Sequence, residues 1–478
     1  LAELAALLDA AERPLIVAGG SGWDAEAVTR LAGFAEAFSC PVTVSFRRQG
    51  LFPCDHPNFA GDLSVGANPK LVDYAKASDL VLLLGGRLSE MPSQSYSLLT
   101  IPCPAQKFIH VHPGAEEIGR VYRPDLAFNM TPRAFLAGVG TLKGSRDRKG
   151  LLAEGHAIYH SWSDTPTEVP GSFNLGEVMV ALRNELPRDA VVTNGAGNYA
   201  IWLHRYYRYR QFGTQLAPTS GSMGYGVPAA VAAKRVMPQK TVVAFAGDGC
   251  FLMTGQEFAT AVQYDLPVIV VVVDNGMYGT IRMHQEREYP GRVIGTELKN
   301  PDFAAYARAF GGHGERVETT AEFMPAFRRA QDSGKPAILH CVTDPEALTP
   351  ARSLSQIRAA SQAAADTAQA AAISANARVM VAVQTLEAAR AQLSLVEAQL
   401  ENVELQLART NVVAPVAGEI VQRNAQVGAI ASASGTPMFS LMRDAALELR
   451  ADVAEGDLLR LKAGQGVRIT TVGGAAPL

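Results

Sequence analysis

The pattern of apolar residues along the chain predicts two α/β domains in series. In the first part, the apolar run DLVLLLGGRL (79–88) follows a stretch of helical period, AEAVTRLAGFAEAF (25–38). Later, the strand-like runs TVVAFAG (241–247) and LPVIVVVVD (266–274) are separated by the helix-like QEFATAVQYD (256–265). Apolar runs that alternate with amphipathic helices are typical of parallel sheets. The sequence therefore predicts an α/β fold with two doubly wound parallel-sheet domains.

Polar stretches that contain glycine mark the predicted domain boundaries. The stretch TLKGSRDRKG (141–150) is charged and glycine-bearing, which is typical of a linker region. We therefore predict a first domain over 1–150, a linker over 151–172 and a second domain over 173–358. The length of 478 residues leaves room for a further segment.

The chain changes character after Arg358. Residues 359–478 contain one aromatic residue, Phe439, one lysine, and no histidine or cysteine. An alanine-rich stretch is followed by apolar residues with the seven-residue period of a coiled coil, which predicts a helix over 359–410. The repeating positions are Leu386, Ala389, Leu393, Val396, Leu400, Val403 and Leu407. Short β-rich runs then predict a small β module over 411–478. This step in composition suggests that two sequences of different history are joined near Arg358.

Composition and charge exclude several classes of protein. The 43 basic and 46 acidic side chains leave a net charge of −3, so nothing indicates a nucleic-acid or acidic-membrane partner. The five cysteines are scattered without a CxxC pair, which argues against a disulfide framework or a zinc site. We find no apolar run long enough to span a membrane and no signal peptide, so we expect a cytoplasmic protein. The first residue is Leu1 rather than Met, which suggests a fragment.

Two glycine-bearing motifs, GDGCF (247–251) and DNGMYGT (274–280), carry the strongest chemical signal. Each follows an apolar strand, so both are expected at the carboxyl edge of a sheet, where open α/β sheets bind ligands. Gly249 lets backbone amides approach a ligand closely, and the start of the following helix favours phosphate. The carboxylate of Asp248 and the carboxamide of Asn275 are oxygen ligands suited to Mg²⁺. The sequence therefore predicts a metal and diphosphate site.

These motifs resemble those of thiamin-diphosphate-dependent enzymes, and residues 247–282 are similar to the acetohydroxyacid (acetolactate) synthase branch. The segments NGAGNY (194–199) and SGSMGYGVPAA (220–230) match the same family in the same order. The resemblance covers about 1–358 and implies thiamin diphosphate and Mg²⁺ as cofactors. It assigns Mg²⁺ to Asp248, Asn275 and the carbonyl of Met277. The implied cofactor-binding residues are Gly197, Asn198, Tyr199, Gly221, Met223, Gly247, Asp248, Gly249, Cys250, Asn275, Met277 and Tyr278.

The resemblance also implies an activity. In the family, the side chain at Met223 wedges the cofactor into a bent conformation, and the carbonyl of Gly221 accepts from its aminopyrimidine. The implied substrate is a 2-keto acid, which loses CO₂ before the remainder is transferred to an acceptor. Ile281 lies where pyruvate decarboxylases carry a glutamate, so we expect a carboligase. Enzymes of this family are dimers or tetramers, and we expect the same here.

The resemblance begins at the family's central domain, so we expect the N-terminal, pyrimidine-binding domain to be absent. In the family that domain supplies the glutamate that protonates the pyrimidine ring. No glutamate of this chain can be assigned that role from the sequence, so the catalytic residues stay unknown. We therefore expect the chain alone to bind thiamin diphosphate weakly through Mg²⁺ and not to turn over.

Three motifs in the first part leave alternatives open. His110 and His112, alternate residues on a strand, form a metal-ligand pair without a third ligand in view. The loop AGGSGW (18–23) lacks full GxGxxG spacing and is more typical of an ordinary strand-to-helix turn. Arg87 lies where synthases of this branch place a flavin-contacting arginine, although the residues after it depart from the pattern. FAD is therefore a further candidate cofactor.

The tail, 362–478, is similar to the periplasmic adaptor (membrane fusion) subunits of efflux pumps and type I secretion systems. The run LARTNVVAPVAGEIV (407–421) resembles the point where the adaptor's descending helix meets a lipoyl-like domain, and 447–472 resembles the start of its β-barrel. Lys462 lies outside the hairpin position that is modified in lipoyl domains, so covalent lipoate is not expected. If exported, such a tail would pair with an efflux or secretion complex. A generic coiled coil with a β tail is the alternative, and a chimera of two incomplete genes is the interpretation of the whole chain.

Overall fold

The computed structural model describes residues 1–430, 435–444 and 452–468. It divides into two compact units, Leu1–Ala371 and Ala372–Leu478. The first unit contains two parallel six-stranded sheets with helices, so the predicted pair of doubly wound α/β domains is confirmed.

The first sheet has the strand order β3-β2-β1-β4-β5-β6. Its strands are β1 (Pro14–Ala18), β2 (Val42–Ser45), β3 (Phe59–Leu63), β4 (Leu80–Leu84), β5 (Lys107–Val111) and β6 (Leu126–Phe128). The accompanying helices are α1 (Ala2–Ala10), α2 (Ala25–Ala37), α3 (Pro69–Lys76), α4 (Pro132–Val139) and α5 (Lys149–Ser163). Every residue of β1 and β4 is buried, as expected for central strands with helices on both faces. Short 3₁₀ helices cover Gln49–Leu51 and Ala115–Glu117.

The second sheet has the strand order β11-β12-β10-β9-β7-β8. Its strands are β7 (Val191–Asn194), β8 (Gln215–Leu216), β9 (Val242–Gly247), β10 (Ile269–Asp274), β11 (His313–Val317) and β12 (Ala337–Val342). Its helices are α6 (Leu175–Glu185), α7 (Tyr199–Tyr206), α8 (Gly226–Val236), α9 (Asp248–Thr254), α10 (Glu257–Gln263), α11 (Gly279–Glu288), α12 (Phe303–Ala309) and α13 (Thr320–Asp332). Because β9 lies between β7 and β10 and all three run parallel, the loops that follow them meet at one edge.

A helix replaces most of the predicted linker. Residues 151–172 were expected to connect the domains, but α5 covers Lys149–Ser163 and packs on β3. Its buried residues, Leu151, Gly155, Tyr159 and Ser163, recur every four positions, which is the spacing of one helix face. The charged residues before α5 suggested a linker, yet Arg148 among them is buried and its guanidinium donates to the carbonyls of Leu8, Ala11 and Phe38.

The tail begins with a 56-residue helix, α14 (Leu354–Arg409), which starts five residues before the predicted boundary. Its first turn is buried through Leu354 and Ile357, so the helix starts within the first unit. After it, β13 (Glu419–Arg423) pairs with β14 (Phe439–Met442) in an antiparallel ribbon, and a 3₁₀ helix covers Glu455–Arg460. Parts of the predicted β module, including 445–451 and 469–478, lie outside the described residues. Among the described residues, no helix combines the length and the apolar character needed to cross a membrane.

Candidate active site

A cavity of about 270 Å³ lies at the carboxyl edge of the second sheet. All twelve residues that the sequence nominated for cofactor binding line it. They are Gly197, Asn198, Tyr199, Gly221, Met223, Gly247, Asp248, Gly249, Cys250, Asn275, Met277 and Tyr278. The structure therefore brings four separate sequence segments to one place, as the loop positions at one sheet edge require.

The two predicted side-chain ligands lie at the ends of neighbouring strands. Gly247 of β9 is in register with Val273 of β10, so Asp248 and Asn275 each follow a paired strand end. Asp248 is only 3% exposed, and its Oδ1 accepts from the amide of Gly249 at 2.8 Å. The Oδ1 atom of Asn275 accepts from the amide of Met277 at 3.3 Å, which ties the carboxamide to its own turn.

A polar network that the sequence did not predict connects these strand ends. The Asn300 amide donates to Oδ2 of Asp248 at 2.8 Å and to Oδ1 of Asp274 at 2.7 Å. His340 Nε2 lies 2.8 Å from the other carboxylate oxygen of Asp274. Asp274 was visible beside Asn275 in the sequence, but Asn300 and His340 lie 26 and 66 residues away from it. Their side chains therefore hold the buried carboxylate of Asp248 and the half-buried carboxylate of Asp274 in place.

The two carboxylates differ in their electrostatic environments. Burial raises the pKa of Asp248 to about 6, and the neighbouring charge of Asp274 acts in the same direction. Burial also acts to raise the pKa of Asp274, but hydrogen bonds from His340, Gly276 and Asn300 outweigh it and hold the pKa below its ordinary value. The site therefore concentrates negative charge where water is scarce.

This arrangement fits a divalent cation bound by oxygen atoms. The Asp248 carboxylate accepts from neutral amides, and among the described residues no arginine or lysine is paired with it. Burying a carboxylate without a cationic partner costs free energy, and a bound cation offsets that cost. One carboxylate and one carboxamide give the hard oxygen donors that Mg²⁺ prefers.

Two glycines of the cavity wall are required for different reasons. A Cβ atom on Gly249 would lie 2.6 Å from the ring of Tyr278, so a larger residue would displace that ring. Gly221 has a φ of +77° and nothing within 4 Å of its Cβ position, so its backbone faces open space. Gly221 therefore suits close approach of a ligand to the main chain, whereas Gly249 allows the packing of Tyr278.

Tyr199 and Cys250 brace the loops of the site. The Tyr199 hydroxyl accepts from the amide of Gly195 at 3.0 Å and lies 3.4 Å from Sγ of Cys250. The amide of Gly224 donates to the same sulfur at 3.1 Å. These contacts connect the loop after β7, the start of α9 and the loop before α8. The two side chains therefore hold these three segments together at the cavity.

The rest of the cavity is mostly apolar, apart from one hydrogen-bonded pair. Oδ1 of Asn198 accepts from the hydroxyl of Thr280 at 2.9 Å, which links the loop after β7 to α11. Ile281, the next residue, also lines the cavity. The sequence did not nominate the apolar lining residues Val169, Phe173, Leu175, Trp202, Val273, Ala347 and Leu348. They come from several elements, and each resembles an ordinary core residue in the sequence.

The other motifs of the first part have ordinary roles or separate surroundings. Nε2 of His110 lies 3.0 Å from the Gly86 carbonyl, and Nδ1 of His112 contacts Gly114. No group of three or more His, Cys, Asp or Glu side chains is arranged to hold a metal ion in the described ranges. Arg87 lines a separate cavity of about 400 Å³ and pairs with Glu117 at 3.3 Å.

Comparison with known proteins assigns both domains. Residues 1–139 match the model of the thiamine pyrophosphate enzyme central domain, and residues 195–341 match that of the C-terminal TPP binding domain. Residues 1–341 belong to the thiamine pyrophosphate enzyme family. Thiamine pyrophosphate is the compound called thiamin diphosphate above. The predicted family and enzyme class are therefore confirmed, and the cavity lies in the C-terminal TPP binding domain and the segments that flank it.

Several relatives of this thiamine pyrophosphate enzyme have named activities. The chain is 28% identical to the acetolactate synthase large subunit of Corynebacterium glutamicum over 71% of its length and 56% of the relative. The corresponding protein of Parasynechococcus marenigrum is 30% identical, with 65% of the chain and 51% of the relative covered. A sulfoacetaldehyde acetyltransferase of Alcaligenes xylosoxydans is 26% identical, with coverages of 68% and 59%. The chain thus spans between half and three fifths of the length of these relatives.

Proposed function

We propose that this chain provides the central and cofactor-binding domains of a thiamin-diphosphate- and Mg²⁺-dependent 2-keto acid carboligase of the acetolactate synthase type. The observation that carries the proposal is the buried carboxylate of Asp248 beside Asn275 at the wall of the cavity. Among the described residues, no arginine or lysine is paired with it. Matches to acetolactate synthase large subunits support the carboligase assignment.

The residues that would hold the cofactor lie on this chain. Asp248, Asn275 and the carbonyl of Met277 would bind Mg²⁺, and the backbone near Gly197 and Gly249 would face the diphosphate. When bound, thiamin diphosphate supplies the carbanion chemistry that breaks and forms carbon–carbon bonds next to a carbonyl. The chain's own part is to bind and orient this group and, through the apolar lining of the cavity, to exclude water.

Ile281 favours carbon–carbon bond formation over simple decarboxylation. Its side chain lines the cavity and has no proton to give. Release of an aldehyde requires protonation of the carbanion that remains after CO₂ leaves, whereas transfer to a second carbonyl does not. An apolar residue here therefore supports a carboligase.

We further propose that the chain alone does not turn over. No glutamate lines the cavity in the described part of the chain, and its carboxyl group, Asp248, is the one proposed to bind Mg²⁺, so the lining offers no glutamate to protonate the pyrimidine. Another domain or subunit would supply it, in a homodimer or tetramer. Robust acetolactate formation from pyruvate by the purified chain would refute this part of the proposal, and sedimentation velocity tests the assembly.

The binding proposal is tested by calorimetric titration with thiamin diphosphate, with and without Mg²⁺. We expect saturable, Mg²⁺-dependent binding that Asp248→Ala abolishes, because the metal loses its charged ligand. Asp332→Ala, an exposed position at the end of α13, is the matched control and leaves binding intact. Binding that is independent of Mg²⁺, or that survives Asp248→Ala, contradicts the proposal.

FAD binding is a separate proposal for the first domain. The second cavity is lined by Arg87, Arg120 and His110, which offer cationic and donor groups to a dinucleotide. Glu117 also lines it and pairs with both arginines, so a bound dinucleotide would compete with Glu117 for them. Incubation with FAD, removal of free flavin and an absorption spectrum test it. Retained flavin absorbance that Arg87→Ala reduces supports the proposal, and a colourless protein rejects it.

For the tail we propose an adaptor-like segment joined to the enzyme part. A long helix followed by an antiparallel ribbon supports this proposal. The leucines of the seven-residue repeat, such as Leu393 and Leu400, are exposed. The two family matches end at residues 139 and 341, so neither extends to the tail. Amplification of source DNA across codons 350–370 tests the join. Failure to obtain one product supports a chimera, and a clean product indicates a natural fusion.

A further inference from the structure

Two histidines on one face of α5 bring their ring nitrogens together outside the cavity described above. His156 and His160 are four residues apart, and their Nε2 atoms lie 3.0 Å from each other. Residues at this spacing project from the same side of a helix. The His160 side chain is 36% exposed, so the pair is open to solvent.

The other nitrogen of each ring has its own acceptor. Nδ1 of His156 lies 3.0 Å from the carbonyl oxygen of Phe59 in β3, and a carbonyl can only accept. Nδ1 of His160 lies 3.0 and 3.1 Å from the two carboxylate oxygens of Asp164. Nδ1 of His156 therefore carries the proton, and its Nε2 presents a lone pair. When Nδ1 of His160 also carries its proton toward Asp164, the Nε2 of His160 presents a second lone pair to the first.

In that tautomer the two lone pairs repel, and a metal ion bound to both nitrogens removes the repulsion. The pattern of one nitrogen bound to a backbone carbonyl or carboxylate, with the other left free, is the arrangement that orients metal-ligating histidines. Arg208 also contacts Nδ1 of His160 at 3.3 Å, a longer distance than either Asp164 contact. Because Arg208 forms an ion pair with Asp164, the two charges next to the histidines balance.

The distance between the nitrogens suits one metal ion bound to both. With metal–nitrogen bonds of about 2.0 Å, two nitrogens at a right angle are about 2.8 Å apart, and at the tetrahedral angle about 3.3 Å. The observed 3.0 Å is closer to the right angle. Square-planar and tetragonal geometry with nitrogen and oxygen ligands is preferred by Cu²⁺ and Ni²⁺.

We propose that His156 and His160 form a transition-metal site, bound through both Nε2 atoms, with water completing the coordination. The site accepts Cu²⁺ more tightly than Ni²⁺ and Ni²⁺ more tightly than Zn²⁺ or Mg²⁺, because imidazole affinity and geometry act in the same direction. The proposed metal site lies on α5, in the segment expected to be a linker, and it is independent of the proposed cofactor site.

The test is a titration of the untagged, EDTA-treated full chain with Cu²⁺ and Ni²⁺ in saturating Mg²⁺. A Cys103→Ser background removes the exposed cysteine as a competing ligand. We expect one equivalent of bound Cu²⁺ whose electron paramagnetic resonance spectrum shows two nitrogen ligands. His156→Gln and His160→Gln each abolish that equivalent, whereas His112→Gln, a partly buried histidine on the first sheet, leaves it unchanged.

A second variant keeps the test decisive if the histidine variants fold poorly. Asp164→Asn leaves both Nε2 atoms in place but weakens the orientation of His160, so Cu²⁺ affinity falls about tenfold. Absence of Cu²⁺ binding, or binding that survives both histidine substitutions, overturns the proposal and indicates a shared proton between the rings. Unchanged thiamin diphosphate binding in these variants keeps this result separate from the proposed function.

Discussion

At the residue scale, Asn300 determines how the carboxylates of Asp248 and Asp274 share one site. Its amide donates to both Asp248 and Asp274, so its loss leaves the carboxylates facing each other without a common donor. We expect Asn300→Ala to weaken Mg²⁺-dependent thiamin diphosphate binding about tenfold, the usual effect of losing a residue that orients a metal ligand. Calorimetry measures the change. Asn129→Ala removes two comparable bonds, to the carbonyls of His112 and Pro113, and should leave binding unchanged.

A second residue-scale prediction concerns Asp62 of β3. Burial raises the pKa of Asp62 to about 7, although Gln49 donates to its carboxylate at 3.0 Å. Since this folded-state pKa lies above the unfolded value, the unfolded state binds fewer protons between pH 4 and pH 7, and stability falls as pH rises through that window. Asp62→Asn should therefore stabilise the protein at pH 8 by up to about 2 kcal/mol, after allowance for its partial exposure. The gain should vanish near pH 4.

Urea denaturation from pH 4 to pH 8 in EDTA measures this difference. Asp73→Asn on the exposed face of α3 serves as the control, with no pH-dependent gain. A gain for Asp62→Asn that is independent of pH would show that ionisation of Asp62 is not its cause.

At the element scale, the segment from 148 to 163 contains a helix and a buried arginine that local sequence patterns did not predict. The four-residue spacing of buried positions in α5 was present in the sequence, but the charged run before it suggested a linker. Arg148 in that run is buried because carbonyls of α1 and of the loops after α1 and α2 surround its guanidinium. Such partners lie more than 100 residues away, so no local pattern reveals them.

We expect Arg148→Ala to destabilise the first unit by about 3 kcal/mol. Its loss leaves carbonyls of Leu8, Ala11 and Phe38 without a charged donor in a buried setting. Thermal or urea denaturation measures the change. Arg146→Ala, two residues earlier and exposed, should shift stability by less than about 0.5 kcal/mol. Equal effects of the two substitutions would contradict the role assigned to Arg148.

In the active-site elements, by contrast, local sequence signals predicted several of the residues. Gly247, Asp248 and Asn275 were predictable because strand ends and glycine turns are local signals, and parallel strands bring those ends together. Asn300 and His340 were not, because each contributes only through side-chain contacts from a distant segment. The apolar lining residues, such as Trp202 and Leu348, could not be predicted either, since their sequence pattern is that of any buried core.

At the scale of the whole molecule, the lining of the cavity lies within the first compact unit. Every lining residue falls between Val169 and Leu348, and that unit ends at Ala371. The start of α14 belongs to it as well, because Leu354 and Ile357 pack in one apolar cluster with Met277 and Leu348. The long helix therefore has two parts with different consequences. Its first turn packs against the turn at 275–277, for which we propose Mg²⁺ binding and which is called the metal-binding turn below, and the remainder does not contribute to this cluster.

Two truncations separate these parts. A chain that ends at Ala371 keeps the cluster and should bind thiamin diphosphate and Mg²⁺ with the affinity of the full chain. A chain that ends at Ser353 loses Leu354 and Ile357, exposes Met277 and Leu348, and forfeits several kcal/mol of apolar burial beside the metal-binding turn. Its binding should be weaker by at least tenfold, as measured by calorimetry. Equal binding by both truncations would show that the metal-binding turn keeps its shape without α14, and weak binding by both would assign a role to residues beyond Ala371.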